Sequence, residues 1–235
     1  MALPTIMTTT TQLLSITTSL LAAGSLTTTS LIEIPQLRSQ PASRSLPMLR
    51  WYFSRGSHIF PPAAILSSTG FLYLAYTAAA AALAATPALG ASTTSTLVFT
   101  LLKTALTERK VQGYLAAAAL NLSIAPFTAL VMVPAVNFQL IQRTIDLGGA
   151  RSAKAAEAGG GQPGRSAEDS ANSRGEGASQ WGDVSGPASV ARREGSKREE
   201  ERVGVLLERF GKLNLVRAGL MGVGGVVGLG TALAL

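Results

Sequence analysis

The side chains that most often carry out chemistry are scarce in this chain of 235 residues. It contains one histidine, His58, and no cysteine. The lack of cysteine excludes disulfides, thiolate-bound zinc, iron–sulfur clusters and cysteine nucleophiles. A single imidazole is too few for a bis-histidine haem, a 2-His-1-carboxylate iron site or a histidine-rich copper site.

The acidic residues and the glycines do not suggest another cofactor site. Of the 13 Asp and Glu residues, 11 lie within residues 143–212. The sequence has no GxxxxGK[ST] motif and no GxGxxG motif in a strand–helix context, so nothing indicates a flavin or a nicotinamide. We therefore predict no metal site and no cofactor.

A few polar side chains lie within or beside apolar runs. Asn121 lies in the middle of one run, where an unpaired amide is costly, so it bonds a neighbouring helix or contacts a substrate. Tyr73 and Tyr76 are three residues apart and share one helix face, which either lines a pocket or packs against a neighbour. Asn214 and Arg217 have the same spacing, and Arg217 either snorkels to the membrane surface or binds a partner.

The charged residues are unevenly distributed. Residues 143–212 hold 23 of the 33 charged side chains, and four other stretches hold none, namely residues 1–32, 56–102, 111–142 and 218–235. Uncharged apolar runs of about 18 or more residues are typical of membrane-spanning helices, so an ordinary soluble domain is excluded. The excess positive charge lies beside the apolar runs, which predicts membrane lipid as a partner and no nucleic acid.

The runs predict an all-α fold, a membrane four-helix bundle with a long disordered loop between helices 3 and 4. Residues 1–145 are expected to hold helices 1–3, with the first helix at about 6–32 and a basic loop at 33–60. Residues 146–202 are rich in Gly, Ala, Ser and charge, and we predict that this polar loop is disordered because it cannot form a core. Residues 203–235 are expected to hold helix 4.

Three further expectations concern the membrane. Residues 93–106 are too few to span it unaided, so we predict an interfacial helix, with a short, tilted fifth span as the alternative. Four spans place the basic loops 33–60 and 143–212 on one side, which the positive-inside rule makes cytosolic, with both termini lumenal or external. In helix 4, Gly224 and Gly228 have the small-xxx-small spacing of close helix contacts, which also permits helix-mediated self-association.

Four motifs follow one another along the chain. They are G-x4-P at residues 56–61 after an aromatic cluster, Y-x-A-Y at 73–76, Y…I-x-P-F-T…M-x-P at 114–134, and F-x3-N-x2-R at 210–217. Their order, and their placement relative to four apolar runs, resembles the anthrone oxygenase family of small four-helix membrane proteins. The resemblance covers about residues 12–142 and 203–235. The chain departs from the family pattern at Phe210 and at Val136. Phe210 stands where the family usually has Trp. Val136 stands where the family usually has Asn, and Asn137 comes directly after it.

The resemblance implies a cofactor-independent oxygenase that oxidises an anthrone to an anthraquinone with O2. The activated methylene of an anthrone loses a proton to give an electron-rich anthrolate. That anion passes an electron to O2, recombines as a hydroperoxide and loses water. The protein then has to bind an apolar aromatic small molecule, assist its deprotonation and stabilise an oxyanion.

With the resemblance, His58 is the candidate catalytic base, because an imidazole can take up a proton near neutral pH. Arg55 is the candidate stabiliser of the oxyanion, and ordinary interfacial roles are the alternative for both residues. The candidate substrate-binding residues are Tyr73, Tyr76, Asn121, Asn214 and Arg217. A non-catalytic membrane scaffold or a small carrier is the alternative function, and convergence of these side chains on one cavity would favour the enzyme.

Overall fold

The computed structural model describes residues 2–85, 107–160, 164–172, 174 and 182–234, together with Phe99 and Lys103. These residues form helices and turns, and no strand occurs among them, which confirms the all-α class. The predicted interfacial helix at 93–106 lies outside the described residues, apart from those two single positions.

The chain is organised around long helical runs. The α-helices are α1 Ala2–Thr28, α2 Ile34–Arg38, α3 Ala42–Ala84, α4 Arg109–Leu122, α5 Ile124–Phe127, α6 Phe138–Asp146, α7 Ala153–Glu157, α8 Ala167–Ala171 and α9 Lys197–Leu233. Two π-helical segments, π1 Thr29–Glu33 and π2 Thr128–Asn137, join α1 to α2 and α5 to α6. Pro134 lies inside π2, so the helical run continues past this proline in the wider π form.

Three helical runs among the described residues are long and apolar enough to cross a membrane: Ala42–Ala84, Arg109–Asp146 and Lys197–Leu233. These runs fit a multi-pass membrane protein. Helix α1, which holds the first predicted span, is not among them. The count of four spans and the orientation of the termini stay predictions.

Most residues of the predicted basic loop at 33–60 are helical. Helix α2 and the first part of α3 occupy this range, and only residues 39–41 separate them. The side chain of Glu200 accepts a hydrogen bond from the backbone N–H of Ala42 at 2.7 Å, so a residue distant in sequence caps the start of α3. Pro35 lies in the first turn of α2, where a helix needs no N–H donor.

The described part of segment 146–202 contains short helices, and its disorder in solution stays a prediction. Helices α7 and α8 form there, and each starts at a serine whose hydroxyl accepts a bond from the backbone three residues later. Arg151 is 1% exposed and Asp183 is 4% exposed, and their side chains form an ion pair. Paired charges and helix caps therefore order residues that are too polar to form an apolar core.

The chain divides into two compact units. The first unit comprises Met1–Gly24, Pro62–Ile124 and Ala218–Leu235, and the second comprises Ser25–Pro61 and Ala125–Arg217. The first unit has an apolar core of Ile16, Phe71, Leu74, Ala75, Val111, Tyr114, Ala117 and Ala118. Large apolar side chains on its outward faces are also exposed, among them Leu13, Leu66, Leu122 and Val226. Apolar outward faces are what a helix bundle presents to lipid.

Close helix packing in the first unit depends on glycines of α9. A methyl group at Gly224 would meet the side chain of Asn121, and a methyl at Gly228 would meet the ring of Phe71. The small-xxx-small pair therefore serves contacts inside the chain. Self-association through these glycines stays a prediction.

The second unit has its own core, in which the first part of α3, π2, α6 and the first half of α9 meet. Its fully buried members include Leu46, Leu49, Met132, Val136 and Leu207. The rings of Phe53 and Phe210 pack at the edge of this core with their centroids 5.2 Å apart. Ion pairs lie on its exposed surface, including Arg38 with Glu208 at 3.0 Å.

Candidate functional site

Asn214 and Arg217, on one face of α9, form the centre of a polar cluster in the second unit. The Arg217 Nη1 donates a hydrogen bond to the Asn214 Oδ1 at 3.1 Å. The Asn214 Nδ2 donates to the carbonyl of Leu26 and to the Ser30 Oγ, both at 3.1 Å. Because the arginine can only donate and the Leu26 carbonyl can only accept, the orientation of the Asn214 amide is determined by its partners. The 1% exposed Asn214 thus holds the guanidinium in place.

The guanidinium of Arg217 carries a charge that no carboxylate balances within the described part of the chain. Its Cζ lies 5.3 Å from the centre of the Phe60 ring, a cation–π distance. Its Nε is buried and has no hydrogen-bond partner among the described residues. An unbalanced buried cation is costly, so this arrangement favours the binding of an anionic or strongly accepting oxygen.

His58 lies in α3 and belongs to the second unit. Its Nδ1 is 2.5 Å from the backbone carbonyl of Ser54 and 3.3 Å from the Ser57 Oγ. A carbonyl can only accept a hydrogen bond, so Nδ1 carries the proton in the neutral ring and Nε2 is the nitrogen that can take one up. The Nε2 atom is buried. His58 is therefore held in a tautomer suited to a general base.

Arg55 is engaged by the segment before α9. Its Nη2 donates to the carbonyl of Ser185 at 2.8 Å, and the Trp51 Nε1 donates to the same carbonyl at 2.9 Å. The Arg55 guanidinium also lies 5.5 Å from the centre of the Trp51 ring. These contacts give Arg55 a structural role in holding the segment, and they do not place it with Arg217.

Asp183 anchors the same segment. Its carboxylate accepts hydrogen bonds from Ser152 and from the backbone and hydroxyl of Ser185, and it pairs with Arg151 at 3.9 Å. Burial alone would raise the pKa of Asp183, but these hydrogen bonds and the charge of Arg151 outweigh burial and lower that pKa to about 2. Asp183 is therefore ionised at neutral pH and serves the structure of the segment.

Asn121 contacts its neighbouring helices in the first unit, and its role in substrate binding stays a prediction. The Oδ1 accepts hydrogen bonds from the Ser19 Oγ at 2.7 Å and the Ser67 Oγ at 3.1 Å. The Nδ2 donates to the carbonyl of Ala117 at 2.8 Å. Two bonds fill the acceptor capacity of the amide oxygen, so α1, α3 and α4 are joined and no acceptor is left for a ligand.

Tyr73 and Tyr76 lie on an exposed face of α3. They share a helix face, as their spacing predicts, but that face points outward, with exposures of 38% for Tyr73 and 70% for Tyr76. Phe71 and Leu74 occupy the inward face of α3 instead. A role of the two tyrosines in substrate binding stays a prediction.

Sequence reasoning missed Ser30 and Phe60, the two residues that complete the Arg217 cluster. Ser30 is a small polar residue at the end of an apolar run, and the pattern of the run does not distinguish it from its neighbouring threonines. Phe60 lies inside the G-x4-P motif, directly before Pro61, and this position is the sequence signal for it. Both reach Arg217 or Asn214 through contacts between distant parts of the chain.

Within the described residues, no three His, Asp or Glu side chains are grouped so that they could hold a metal ion. The described part of the second unit therefore offers a tautomer-fixed imidazole and a half-buried guanidinium that has no carboxylate partner there. Such groups can accept a proton and stabilise an oxyanion.

Comparison with known proteins identifies the family. No match was found among curated proteins or among solved structures. The sequence profile described as anthrone oxygenase matches residues 49–227, which includes all of the motifs at 56–61, 73–76, 114–134 and 210–217. Because this match covers most of the chain, the protein belongs to the anthrone oxygenase family.

Proposed function

We propose that the protein oxidises an anthrone-type aromatic polyketide to a quinone with O2, without a cofactor. The observation that carries the proposal is the Arg217 guanidinium, which is held by Asn214, lies over Phe60 and has no carboxylate partner among the described residues. Deprotonation of an anthrone converts its ketone oxygen into an oxyanion. A buried cation stabilises that anion more than the neutral anthrone, and such a difference lowers the barrier to deprotonation.

In the proposed reaction, the Nε2 of His58 takes a proton from the methylene carbon of the anthrone. The resulting anthrolate, with its oxygen at the Nε and Nη2 edge of Arg217, gives one electron to O2. The two radicals combine into a peroxide anion, which takes back the proton from His58 to become a hydroperoxide, and the hydroperoxide loses water to give the quinone. One O2 is consumed, one oxygen atom enters the product and the other leaves as water.

The test uses membranes from cells that express the full chain, supplied with emodin anthrone and O2. We expect quinone formation well above that of membranes without the chain, a comparison that subtracts spontaneous oxidation. Arg217→Gln should lower kcat/KM by about a hundredfold, the usual effect of removing one oxyanion donor. His58→Gln should lower kcat by a similar factor, because general base catalysis contributes about 10² to 10⁴.

The matched control is Arg209→Gln, which removes an exposed arginine from the same helix and should leave kcat/KM unchanged. Wild-type membranes that form quinone no faster than empty membranes would refute the oxygenase function. Binding of anthrone or quinone without turnover would instead favour the carrier alternative. Full activity in Arg217→Gln would show that the reaction does not depend on the guanidinium.

A further inference from the structure

Segment π2 brings two distant polar residues onto one helix face. Thr128 and Asn137 are the first and last residues of this π-helix and lie nine positions apart. A π-helix has roughly 4.4 residues per turn, so nine residues complete about two turns and the two side chains point the same way. In an α-helix of about 3.6 residues per turn, the same spacing would place them on opposite faces.

The face that carries these two residues is turned toward the core of the second unit. Met132 and Val136, which lie between Thr128 and Asn137, are both 0% exposed. Both belong to the apolar core that contains Phe210, and the partly buried Phe127 packs against it. The two polar side chains therefore belong to a segment whose buried side chains are apolar.

Both polar side chains lack the hydrogen bonds that burial normally requires. The Oγ1 of Thr128 and the Oδ1 of Asn137 are buried and have no partner among the described residues. A threonine in a helix commonly donates to the carbonyl four residues earlier, and Thr128 does not. Buried polar groups without partners are rare and costly, so they indicate a ligand that supplies the missing bonds.

We propose that Thr128 and Asn137 form a subsite for the phenolic hydroxyl groups of the substrate and thereby select hydroxylated anthrones over unsubstituted ones. A phenol O–H can donate to the amide oxygen of Asn137, and the hydroxyl of Thr128 can donate or accept. Neither side chain is charged, which suits a neutral hydroxyl, and the apolar residues between them suit a planar ring. This inference rests on the proposed function, because it assigns part of the substrate of that reaction.

The test compares 1,8-dihydroxyanthrone with unsubstituted anthrone in the full chain and in Thr128→Val, Asn137→Leu and the double variant. Each substitution removes hydrogen bonding with little change of volume. We expect the ratio of kcat/KM between the two substrates to fall about tenfold for each lost bond. Comparing that ratio between variants cancels the different intrinsic reactivities of the two anthrones.

A second readout separates ligand recognition from a purely structural role. Removal of an unsatisfied buried polar group should leave the Tm of the ligand-free protein unchanged or raise it. The control is Gln139→Leu, an exposed amide just beyond π2, which should keep the wild-type ratio. An unchanged ratio in the double variant would overturn the subsite, because the two groups would then bind water or nothing.

A failure of the proposed function can be distinguished from a failure of the subsite. In that case the wild type oxidises neither anthrone above background, and the subsite is measured by affinity instead. The double variant should then bind 1,8-dihydroxyanthraquinone at least tenfold more weakly than the wild type and bind anthraquinone with a much smaller loss. Equal losses for both quinones would overturn the subsite independently of activity.

Discussion

The close approach of Gly228 to Phe71 in the first unit leads to a prediction about stability. Replacing glycine by alanine should destabilise the protein at Gly228 and stabilise it at Gly219, although both residues lie on α9. A methyl group at Gly228 would lie 2.5 Å from the Cζ of Phe71 and closer still to its Cε1. The Phe71 ring is 0% exposed and stacks on Tyr114 with the centroids 6.3 Å apart, so it has no room to withdraw. Gly219, nine residues earlier on α9, has nothing within 4 Å of the same methyl position.

The magnitudes follow from these two environments. Overpacking a filled core costs about 1–3 kcal/mol, and replacing glycine by alanine within a helix gains up to about 1 kcal/mol. Gly228→Ala should therefore lower the free energy of unfolding by about 1–2 kcal/mol. Gly219→Ala meets no atom and should raise the free energy of unfolding by about 0.5–1 kcal/mol.

The assay is reversible unfolding of the purified chain in mixed micelles, followed by circular dichroism as the denaturing detergent increases. Gly222→Ala provides an intermediate case, because its methyl would lie 3.5 Å from the Cβ of Ala23, an ordinary contact. The expected order of stability is Gly219→Ala, then Gly222→Ala, then Gly228→Ala. If Gly228→Ala were as stable as Gly219→Ala, the close approach of α9 to α3 in the first unit would be refuted.

Three further predictions concern the polar networks. Asn121→Ala should lower the free energy of unfolding by about 2 kcal/mol in the same assay, because interhelical hydrogen bonds are lost and a cavity remains. The same substitution should leave quinone affinity unchanged. A variant as stable as the wild type would contradict this prediction. Asn214→Asp should weaken the binding of a phenolate ligand at least tenfold, because the new carboxylate neutralises the charge of Arg217. The affinity is measured by fluorescence titration. An unchanged affinity would show that the guanidinium does not contact the ligand. The pKa of Asp183 falls from 3.8 to about 2 on folding, so its contribution of about 2 kcal/mol is present above about pH 4 and is lost as the pH falls toward 2. As the pH falls from about 4 toward 2, the rate of hydrogen exchange at residues 182–186 should rise in the wild type. In Asp183→Asn the exchange should be fast at every pH. The same pH profile in both proteins would contradict the role of the carboxylate.

The arrangement of Asn121 shows how far sequence patterns reach. An amide in the middle of an apolar run predicts a buried hydrogen bond, because lipid offers no partner. Whether the partner is a substrate or another helix depends on which residues of other helices come within hydrogen-bonding distance. Ser19 and Ser67 do so, and neither stands out among the serines and threonines of its run.

The helix boundaries show the same limit. Uncharged runs located α3, the run from α4 to α6 and the second half of α9, because burial in lipid requires continuous apolar sequence. The helical start of α3 at Ala42 was not predicted, since its cap comes from Glu200, which is 158 residues away. The ion pair of Arg151 and Asp183 could not be predicted for the same reason, because it joins residues that are far apart in a polar sequence.

The amino-acid sequence by itself determined the all-α class, the membrane-spanning character and the family, since these depend on local composition and on motifs in order along the chain. It also identified Asn214 and Arg217 as a pair on one helix face. Only the tertiary structure decided that Tyr73 and Tyr76 face outward, that Asn121 joins helices, and that the charge of Arg217 lacks a carboxylate among the described residues. The physical reason is that helical spacing states which residues share a face, whereas the packing of other helices decides which face is buried and what it contacts.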